Sequence, residues 1–227
     1  MNINPLDIKD TCRKNLLKYL NLAVSALPTV KNPIMLDVGC GTGVPTLFMI
    51  QQMHSTVYAV DIDQKVLDHL RRKINSLNLE DRIKIYRESV FDMSFPEKYF
   101  DIILAEGLLN ITGFEQGLIL LDKFIKEKGF MIVHDEYRDH DKKLKIMNRF
   151  GYRLIHSVLL DEHVWWNEYY RCLDRKLRTL DKEILSEKFK NEIREISQYR
   201  ENPTLFRSVY YVLKKVLSEQ TGAIINT

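Results

Sequence analysis

Cysteine, glycine and proline are scarce in this sequence of 227 residues, and no long apolar run occurs. The cysteines at positions 12, 40 and 172 form no CxxC pair, so a zinc ribbon and a disulfide framework are excluded and reduced thiols are expected. With 9 glycines and 6 prolines, collagen and low-complexity chains are excluded as well. No run of about 18 apolar residues lacks a charge, and the first ten residues lack a secretory pattern. A cytoplasmic location without a membrane partner is therefore expected.

The composition that remains is that of a globular protein, with 45% hydrophobic and 29% charged residues. The net charge of +3 is unevenly distributed: residues 1–140 carry 17 basic and 19 acidic side chains, and residues 141–227 carry 17 and 12. The basic residues of the second part alternate with acidic ones at helical spacing, as on a solvated helix face. Nucleic acid is therefore not expected as a partner. A monomer or homodimer is expected.

Alternating strand and helix patterns predict an α/β domain with a mostly parallel sheet. A leading helix is predicted within residues 1–30, over 6–27, and a crossover helix over 117–125. A long polar helical stretch is predicted over 164–199. Apolar and β-branched runs predict strands at 34–38, 56–60, 83–86, 100–104, 130–133 and 152–160. The segment 205–213 is ambiguous, but its aromatic and β-branched content favours a strand over a helix.

A glycine-rich turn follows the first predicted strand, which is typical of nucleotide sites. Its glycines stand at 39, 41 and 43, whereas a dinucleotide loop would need a small residue at Val44. The lysine of a phosphate-binding Walker loop is also missing. A nicotinamide enzyme remains an alternative, because Asp61, about 20 residues after the loop, suits that class too.

The segment Leu-Asp-Val-Gly-Cys-Gly-Thr-Gly at 36–43 resembles the first motif of class I S-adenosylmethionine-dependent methyltransferases. Segments 57–63, 88–96 and 99–107 resemble the later motifs, so the resemblance covers residues 34–133. It implies a doubly wound, seven-stranded sheet whose last strand is antiparallel. It also implies one domain, with a core over 34–160, a helical insertion or lid over 161–203, and a last strand and tail over 204–227.

The resemblance also implies how S-adenosylmethionine is bound. The second motif ends at Asp61, which is expected to hold the ribose hydroxyls with its carboxylate. The third motif has Ser89 where an aspartate is customary, which weakens one expected contact with the adenine. Ala105 is expected beside the cofactor. The remaining expected contacts are with the methionine end, from Asp37, Gly39, Gly41 and Gly43, and with the adenine, from Ile62, Ser89 and Val90.

The acceptor side carries fewer signals, because methyl transfer from a sulfonium depends mainly on positioning and exclusion of water. Glu106, His134 and Glu136 follow the fourth and fifth strands and are the candidate catalytic residues. No metal is expected, since the acidic and histidine residues at 134–140 have no spacing typical of a metal site.

Both tryptophans of the chain lie within the aromatic segment 161–170. Trp166 and Tyr170, with Tyr137, are candidate substrate-binding residues, since aromatic faces can bind a flat or cationic acceptor. Burial of Trp165 and Tyr169 in the core by a helix is the alternative.

The sequence thus predicts methyl transfer from S-adenosylmethionine to a small-molecule acceptor. Two alternatives remain open: a methyltransferase that acts on protein or RNA, and a non-catalytic binding protein with the same fold.

Overall fold

Seven strands form one sheet in the computed structural model, which describes residues 4–216. Their order across the sheet is β3, β2, β1, β4, β5, β7, β6. β7 is antiparallel to both of its neighbours, and the other pairings are parallel. The strands are β1 Ile34–Val38, β2 Thr56–Asp61, β3 Ile83–Arg87, β4 Phe100–Glu106, β5 Ile125–Glu136, β6 Tyr152–Leu160 and β7 Ser208–Lys215. The predicted fold class is confirmed.

Helices cover both faces of this sheet, as expected for a parallel sheet whose central strands are almost entirely apolar. Two apolar layers result, one on each face. The helices are α1 Pro5–Arg13, α2 Leu17–Ser25, α3 Val44–Gln52, α4 Gln64–Ser76, α5 Leu109–Thr112, α6 Phe114–Asp122, α7 His140–Arg149, α8 Glu162–Val164, α9 Arg171–Leu177, α10 Lys182–Lys188 and α11 Lys190–Glu201. Among the residues described, none of these helices combines the length and the apolar character that crossing a membrane requires.

Several predicted boundaries differ from the structure because tertiary packing decides them. The leading helix is interrupted by a 3-10 turn at Lys14–Leu16, and the polar stretch after β6 is divided into short helices around a π-helical segment, Trp165–Tyr170. β5 extends beyond 130–133 at both ends, and the helix before it begins at Phe114. Segment 205–213 is a strand from Ser208 onward, as the composition favoured. Residues 1–3 of the leading segment and 217–227 of the tail lie outside the described residues.

The prediction of reduced thiols is wrong for two of the three cysteines. Cys12 of α1 and Cys172 of α9 are joined by a disulfide, with their Cα atoms 5.6 Å apart. The two residues are separated by 160 positions in sequence and meet only because α1 packs against the segment that follows β6. Spacing along the chain gave no signal of this pairing. Cys40 is a buried free thiol.

Candidate functional site

The glycine turn leads from β1 into α3 at the carboxyl edge of the sheet, where open α/β sheets bind ligands. All three glycines have positive φ, which side-chain-bearing residues rarely adopt. A Cβ on Gly41 would meet no atom within 4 Å, so its backbone borders open space. A Cβ on Gly43 would lie 2.2 Å from Leu70 Cδ1. Gly41 thus permits close approach of a ligand, whereas Gly43 permits the packing of α4.

Asp61 stands at the end of β2 and is tied to the turn. Its Oδ2 accepts a hydrogen bond from the Gly41 amide at 2.8 Å, and its Oδ1 accepts one from the Asp63 amide at 2.9 Å. Each carboxylate oxygen has a second lone pair, which leaves two acceptor positions for a ligand. The carboxylate is therefore oriented by the backbone and still able to bind a pair of hydroxyl groups.

Asp37, on β1, is 3% exposed and lies beside the turn. Its Oδ2 accepts a hydrogen bond from Thr46 Oγ1 at 2.5 Å, while its Oδ1 has no partner among residues 4–216 and keeps some solvent contact. Burial raises the pKa of Asp37 to about 7; the Thr46 hydrogen bond opposes this rise, and repulsion by Glu106 and Asp61 adds to it. A cationic group beside Oδ1 would favour the ionised form.

A cavity of about 320 Å³, here the loop cavity, lies over the glycine turn. One wall is helix α1, which sequence patterns had not connected with the site. Asp10 of α1 accepts hydrogen bonds from Thr42 Oγ1, His69 Nε2 and Lys73 Nζ, and these bonds fix α1 on the turn. The lining residues include Leu6, Lys9, Asp10, Arg13, Asp37, Gly39, Gly41, Thr42, Glu106 and Tyr169.

The residues expected around an adenine have different environments. Ile62 is 66% exposed beyond the end of β2, as an apolar surface for a flat ring would be. Val90 is buried at 9% exposure. Ser89 Oγ accepts a weak hydrogen bond from the Phe91 amide at 3.3 Å and can still donate its own proton. Ala105 is fully buried within the sheet and lines neither the loop cavity nor the cavity that adjoins it, so its expected place beside the cofactor is not reproduced.

Glu106, at the end of β4, is paired with two side chains. Its Oε2 accepts from Arg13 Nη2 at 2.8 Å, and its Oε1 accepts from the Tyr210 hydroxyl at 2.7 Å. The side chain is 7% exposed. Because both oxygens are bonded and Arg13 compensates its charge, Glu106 is arranged to hold a cation and not to take a proton from a substrate.

A second cavity of about 600 Å³, here the aromatic cavity, adjoins the loop cavity. Arg13 and Gly107 line both of them. The aromatic cavity lies at the ends of β5 and β7 and is covered by the segment after β6. Its lining residues include Asn110, His134, Asp135, Glu136, Trp165, Tyr170, Gln198, Glu201, Phe206, Arg207 and Ser208.

His134 forms the inner wall of this second cavity. It stacks on Tyr210 with ring centroids 4.4 Å apart, and its Nε2 is 2.9 Å from Ser208 Oγ. Burial lowers the pKa of His134 to about 4, and the nearby Arg13 charge adds to this effect while Glu106 and Asp135 oppose it. The imidazole is therefore neutral near pH 7 and a weak base.

The predicted substrate residues are only partly brought together. Tyr170 lines the aromatic cavity, but Trp166 stacks on Tyr199 with centroids 5.7 Å apart and lines neither cavity. Tyr137 likewise lies outside both linings and stacks on His140. Of the two residues that the alternative interpretation buried in the core, Tyr169 is buried there, and Trp165 packs against the core while it also lines the aromatic cavity. The π-helical turn changes the angular spacing of Trp165 and Trp166 from that of an α-helix, which is why the helical pattern misplaced them.

Sequence reasoning missed three residues that the structure places at this site: Arg13, Trp165 and Ser208. They come from α1, from the π-helical segment and from the start of β7, so only the tertiary fold brings them together. No group of three or more potential metal ligands occurs among residues 4–216.

Comparisons with known proteins identify the domain. Residues 35–129 match the family described as "Methyltransferase domain". This match and the seven-stranded sheet identify residues 35–129 as a methyltransferase domain of the class I fold. The matched region runs from β1 to the first residues of β5 and includes the glycine turn and Asp61.

The proteins that this chain resembles vary in described activity. PRMT10 of Arabidopsis thaliana, a protein arginine N-methyltransferase, is 31% identical over 117 residues, which is 50% of this chain and 30% of that protein. The cyclase SpnF has a TM-score of 0.76 at 13% identity, with 88% of this chain and 82% of that chain covered. A methyltransferase from Geobacter sulfurreducens, solved with S-adenosylhomocysteine, has a TM-score of 0.68 at 17% identity, covering 87% of this chain and 90% of that one. The chain spans less than half the length of the curated relatives it matches.

Asp37, Gly39 and Gly41 line the loop cavity, whereas the expected ribose and adenine residues lie outside its lining. The glycine turn and the end of β2 together fit S-adenosylmethionine. Asp61 has two free acceptor positions for a ribose, and the unpartnered Asp37 Oδ1 suits the ammonium of a methionine end. The open space at Gly41 lets the backbone approach the ligand, and the exposed Ile62 offers an apolar surface to the adenine. These contacts agree with the resemblance of the four sequence motifs.

Proposed function

We propose that this chain transfers the methyl group of S-adenosylmethionine to a small molecule that binds in the aromatic cavity. The observation that carries the proposal is the junction of the two cavities at Arg13 and Gly107. A ligand in the aromatic cavity would lie next to one in the loop cavity. The volume of about 600 Å³ falls within the range of small-molecule pockets.

Residues of the chain contribute binding, orientation and shielding from water. When bound, S-adenosylmethionine supplies an electrophilic methyl group. Asp61, Asp37 and Gly41 would hold this cofactor at the carboxyl edge of the sheet. Trp165, with Tyr170 and Phe206, presents aromatic faces that would orient an acceptor and exclude water. Of the candidate catalytic residues, Glu106 is engaged by Arg13 and Tyr210, and His134 is a weak base, so positioning is the main contribution.

Methylation of protein arginine side chains is a second candidate. Glu106 already binds a guanidinium, that of Arg13, at the junction of the cavities, which demonstrates that this carboxylate accepts such a group. Curated relatives described as protein arginine N-methyltransferases support this candidate, although the match covers about half of the chain.

One experiment distinguishes these candidates. Purified protein is titrated with S-adenosylhomocysteine, with NAD as the control ligand, and then incubated with methyl-labelled S-adenosylmethionine and two acceptor panels. One panel contains small carboxylates, phenols and amines, and the other contains arginine-rich peptides. Transfer of label to a small molecule supports the proposal, and transfer to peptide arginine supports the second candidate.

Two results would contradict the proposal. Binding of S-adenosylhomocysteine with no transfer to either panel would favour a binding protein on this fold. Binding of NAD alone would contradict the cofactor assignment. Asp61→Asn, which removes the charge that would hold the ribose, should bind S-adenosylhomocysteine weakly and serves as the site control.

A further inference from the structure

A chain of hydrogen bonds crosses the wall of the aromatic cavity. Trp165 Nε1 lies 3.0 Å from Ser208 Oγ, and Ser208 Oγ lies 2.9 Å from His134 Nε2. Ser208 is 5% exposed and His134 is 8% exposed, so these groups are bonded out of bulk water. The three residues belong to the π-helical segment, β7 and β5, and the chain of bonds therefore joins the covering segment to the sheet.

The direction of these bonds follows from what each atom can donate. An indole N–H can only donate, so Ser208 Oγ accepts from Trp165. The single hydroxyl proton of Ser208 then needs an acceptor, and His134 Nε2 is the one acceptor within reach among residues 4–216. If His134 donated from Nε2 instead, the buried hydroxyl proton would have no partner, which is costly. The imidazole therefore accepts at Nε2.

This direction fixes the tautomer of His134. A neutral imidazole carries one proton, and when Nε2 accepts, that proton is on Nδ1. Nδ1 has no hydrogen-bond partner among residues 4–216 and is not one of the fully buried unpartnered atoms, so it keeps some exposure. His134 lines the aromatic cavity, and the N–H at Nδ1 is accordingly a free donor at its wall.

Arg13 provides further donors at the same place. One N–H of its guanidinium is used by Glu106, and its side chain keeps 39% exposure at the junction of the cavities. The acidic neighbours are partly engaged: Asp135 Oδ2 pairs with Lys143 at 2.5 Å, Asp135 Oδ1 is buried without a partner among residues 4–216, and Glu136 pairs with Arg138 at 3.0 Å. Beside these carboxylates, the inner end of the cavity presents the N–H donors of His134 and Arg13.

We propose that His134 and Arg13 together bind an anionic oxygen of the methyl acceptor, and that Ser208 is the positioning residue that holds His134 in the tautomer required. This inference rests on the proposed function and narrows its acceptor to molecules with a carboxylate or a comparably charged oxygen. His134 acts in it as a hydrogen-bond donor and not as a base.

The tautomer is tested first, without any ligand. Two-dimensional NMR of isotope-labelled protein correlates ring nitrogens with ring protons and identifies which nitrogen is protonated; His134→Gln assigns the signal among the 6 histidines. The protonated nitrogen of His134 should be Nδ1 in the wild type and in Ser208→Thr, which keeps the hydroxyl. In Ser208→Ala a mixture of tautomers should appear. Protonation at Nε2 in the wild type would overturn the proposal.

The ligand class is tested with three probes of one size, benzoate, benzamide and benzylamine, on protein saturated with S-adenosylhomocysteine. Benzoate should bind most tightly and shift the Nδ1 proton signal of His134. Affinity for benzoate should fall about tenfold or more in His134→Phe, as expected for loss of a hydrogen bond to a charged group, and by less in Ser208→Ala. Ser208→Thr should bind like the wild type.

The outcomes separate this inference from the proposed function. If S-adenosylhomocysteine binds but benzylamine is preferred over benzoate, or benzoate leaves the His134 signal unchanged, this inference is wrong and the methyltransferase assignment stands. If S-adenosylhomocysteine does not bind, the proposed function fails, while the tautomer measurement on the free protein still decides the role of Ser208. An unfolded Ser208→Ala variant leaves the wild type and Ser208→Thr to decide the tautomer.

Discussion

The two cavities of this protein are built in different ways. In the loop cavity, one wall comes from a single stretch of chain, β1 and the glycine turn to which Asp61 is bonded, and short spacings determine its geometry. The aromatic cavity is formed by β5, the π-helical segment, α11 and β7, which are far apart in sequence. α1 borders both cavities through Arg13. A cofactor site can thus be carried by a local motif, whereas an acceptor site depends on how distant elements pack.

The disulfide joins α1, which borders both cavities, to α9 after the π-helical segment. Its reduction should lower the free energy of unfolding more than the substitutions that follow. Because Cys12 and Cys172 are 160 residues apart, reducing the bond releases a long loop, and the free energy of unfolding should fall on the order of 4 kcal/mol. Urea unfolding with and without dithiothreitol measures this loss. The double variant Cys12→Ser/Cys172→Ser should not respond to dithiothreitol. A mass that shows three free thiols in the untreated protein, and not the single thiol of Cys40, would contradict the link between the regions.

Within the loop region, two glycines should respond differently to the same substitution. Gly43→Ala forces a Cβ against Leu70 in a left-handed conformation and should lower the free energy of unfolding by about 3 kcal/mol. Gly41→Ala meets no neighbouring atom, so it should cost only about 1 kcal/mol of backbone strain. Urea unfolding gives both values. The main effect of Gly41→Ala should be weaker binding of S-adenosylhomocysteine, which calorimetry measures. Equal destabilisation by both changes would remove the distinction between a packing glycine and a ligand-facing one.

The variant Asp61→Asn tests whether the carboxylate at the end of β2 binds the cofactor. Loss of the charge should weaken S-adenosylhomocysteine binding by about 2 kcal/mol, or roughly 30-fold, while the fold persists. Asp63→Asn is the matched control, because Asp63 caps α4 and an asparagine caps nearly as well. Calorimetric titration of both variants measures the difference. Equal affinities would mean that the ribose is held elsewhere.

The contrast between the cavities also explains what the sequence could predict. The sheet, the glycine turn and Asp61 depend on contiguous residues with fixed periods, and they were predicted. The divided helices after β6, the cavity-facing Trp165 in place of Trp166, and the disulfide were not. Each depends on long-range packing: the π-helical turn changes which aromatic side chains face inward, and Arg13 reaches Glu106 only because α1 lies across the turn. No local spacing encodes these contacts.

The pKa of Asp37 offers a pH-dependent test of the loop region. Burial raises this pKa to about 7 from a usual value of 3.8, so the native state holds a proton that the unfolded chain releases. Its contribution to stability is therefore complete below pH 3.8 and is lost as pH rises through about 7. Asp37→Asn should abolish that part of the pH dependence in urea unfolding.

Cofactor binding should act on the same proton. If the ammonium of the methionine end lies beside Asp37 Oδ1, it favours the ionised carboxyl, and binding near pH 7 should release about half a proton from this group. Titrations with S-adenosylhomocysteine in two buffers of different ionisation enthalpy measure the release, and Asp37→Asn should lack it. No difference between the buffers for the wild type would place the ammonium elsewhere. Asp37 would then have a structural role only, through its hydrogen bond with Thr46.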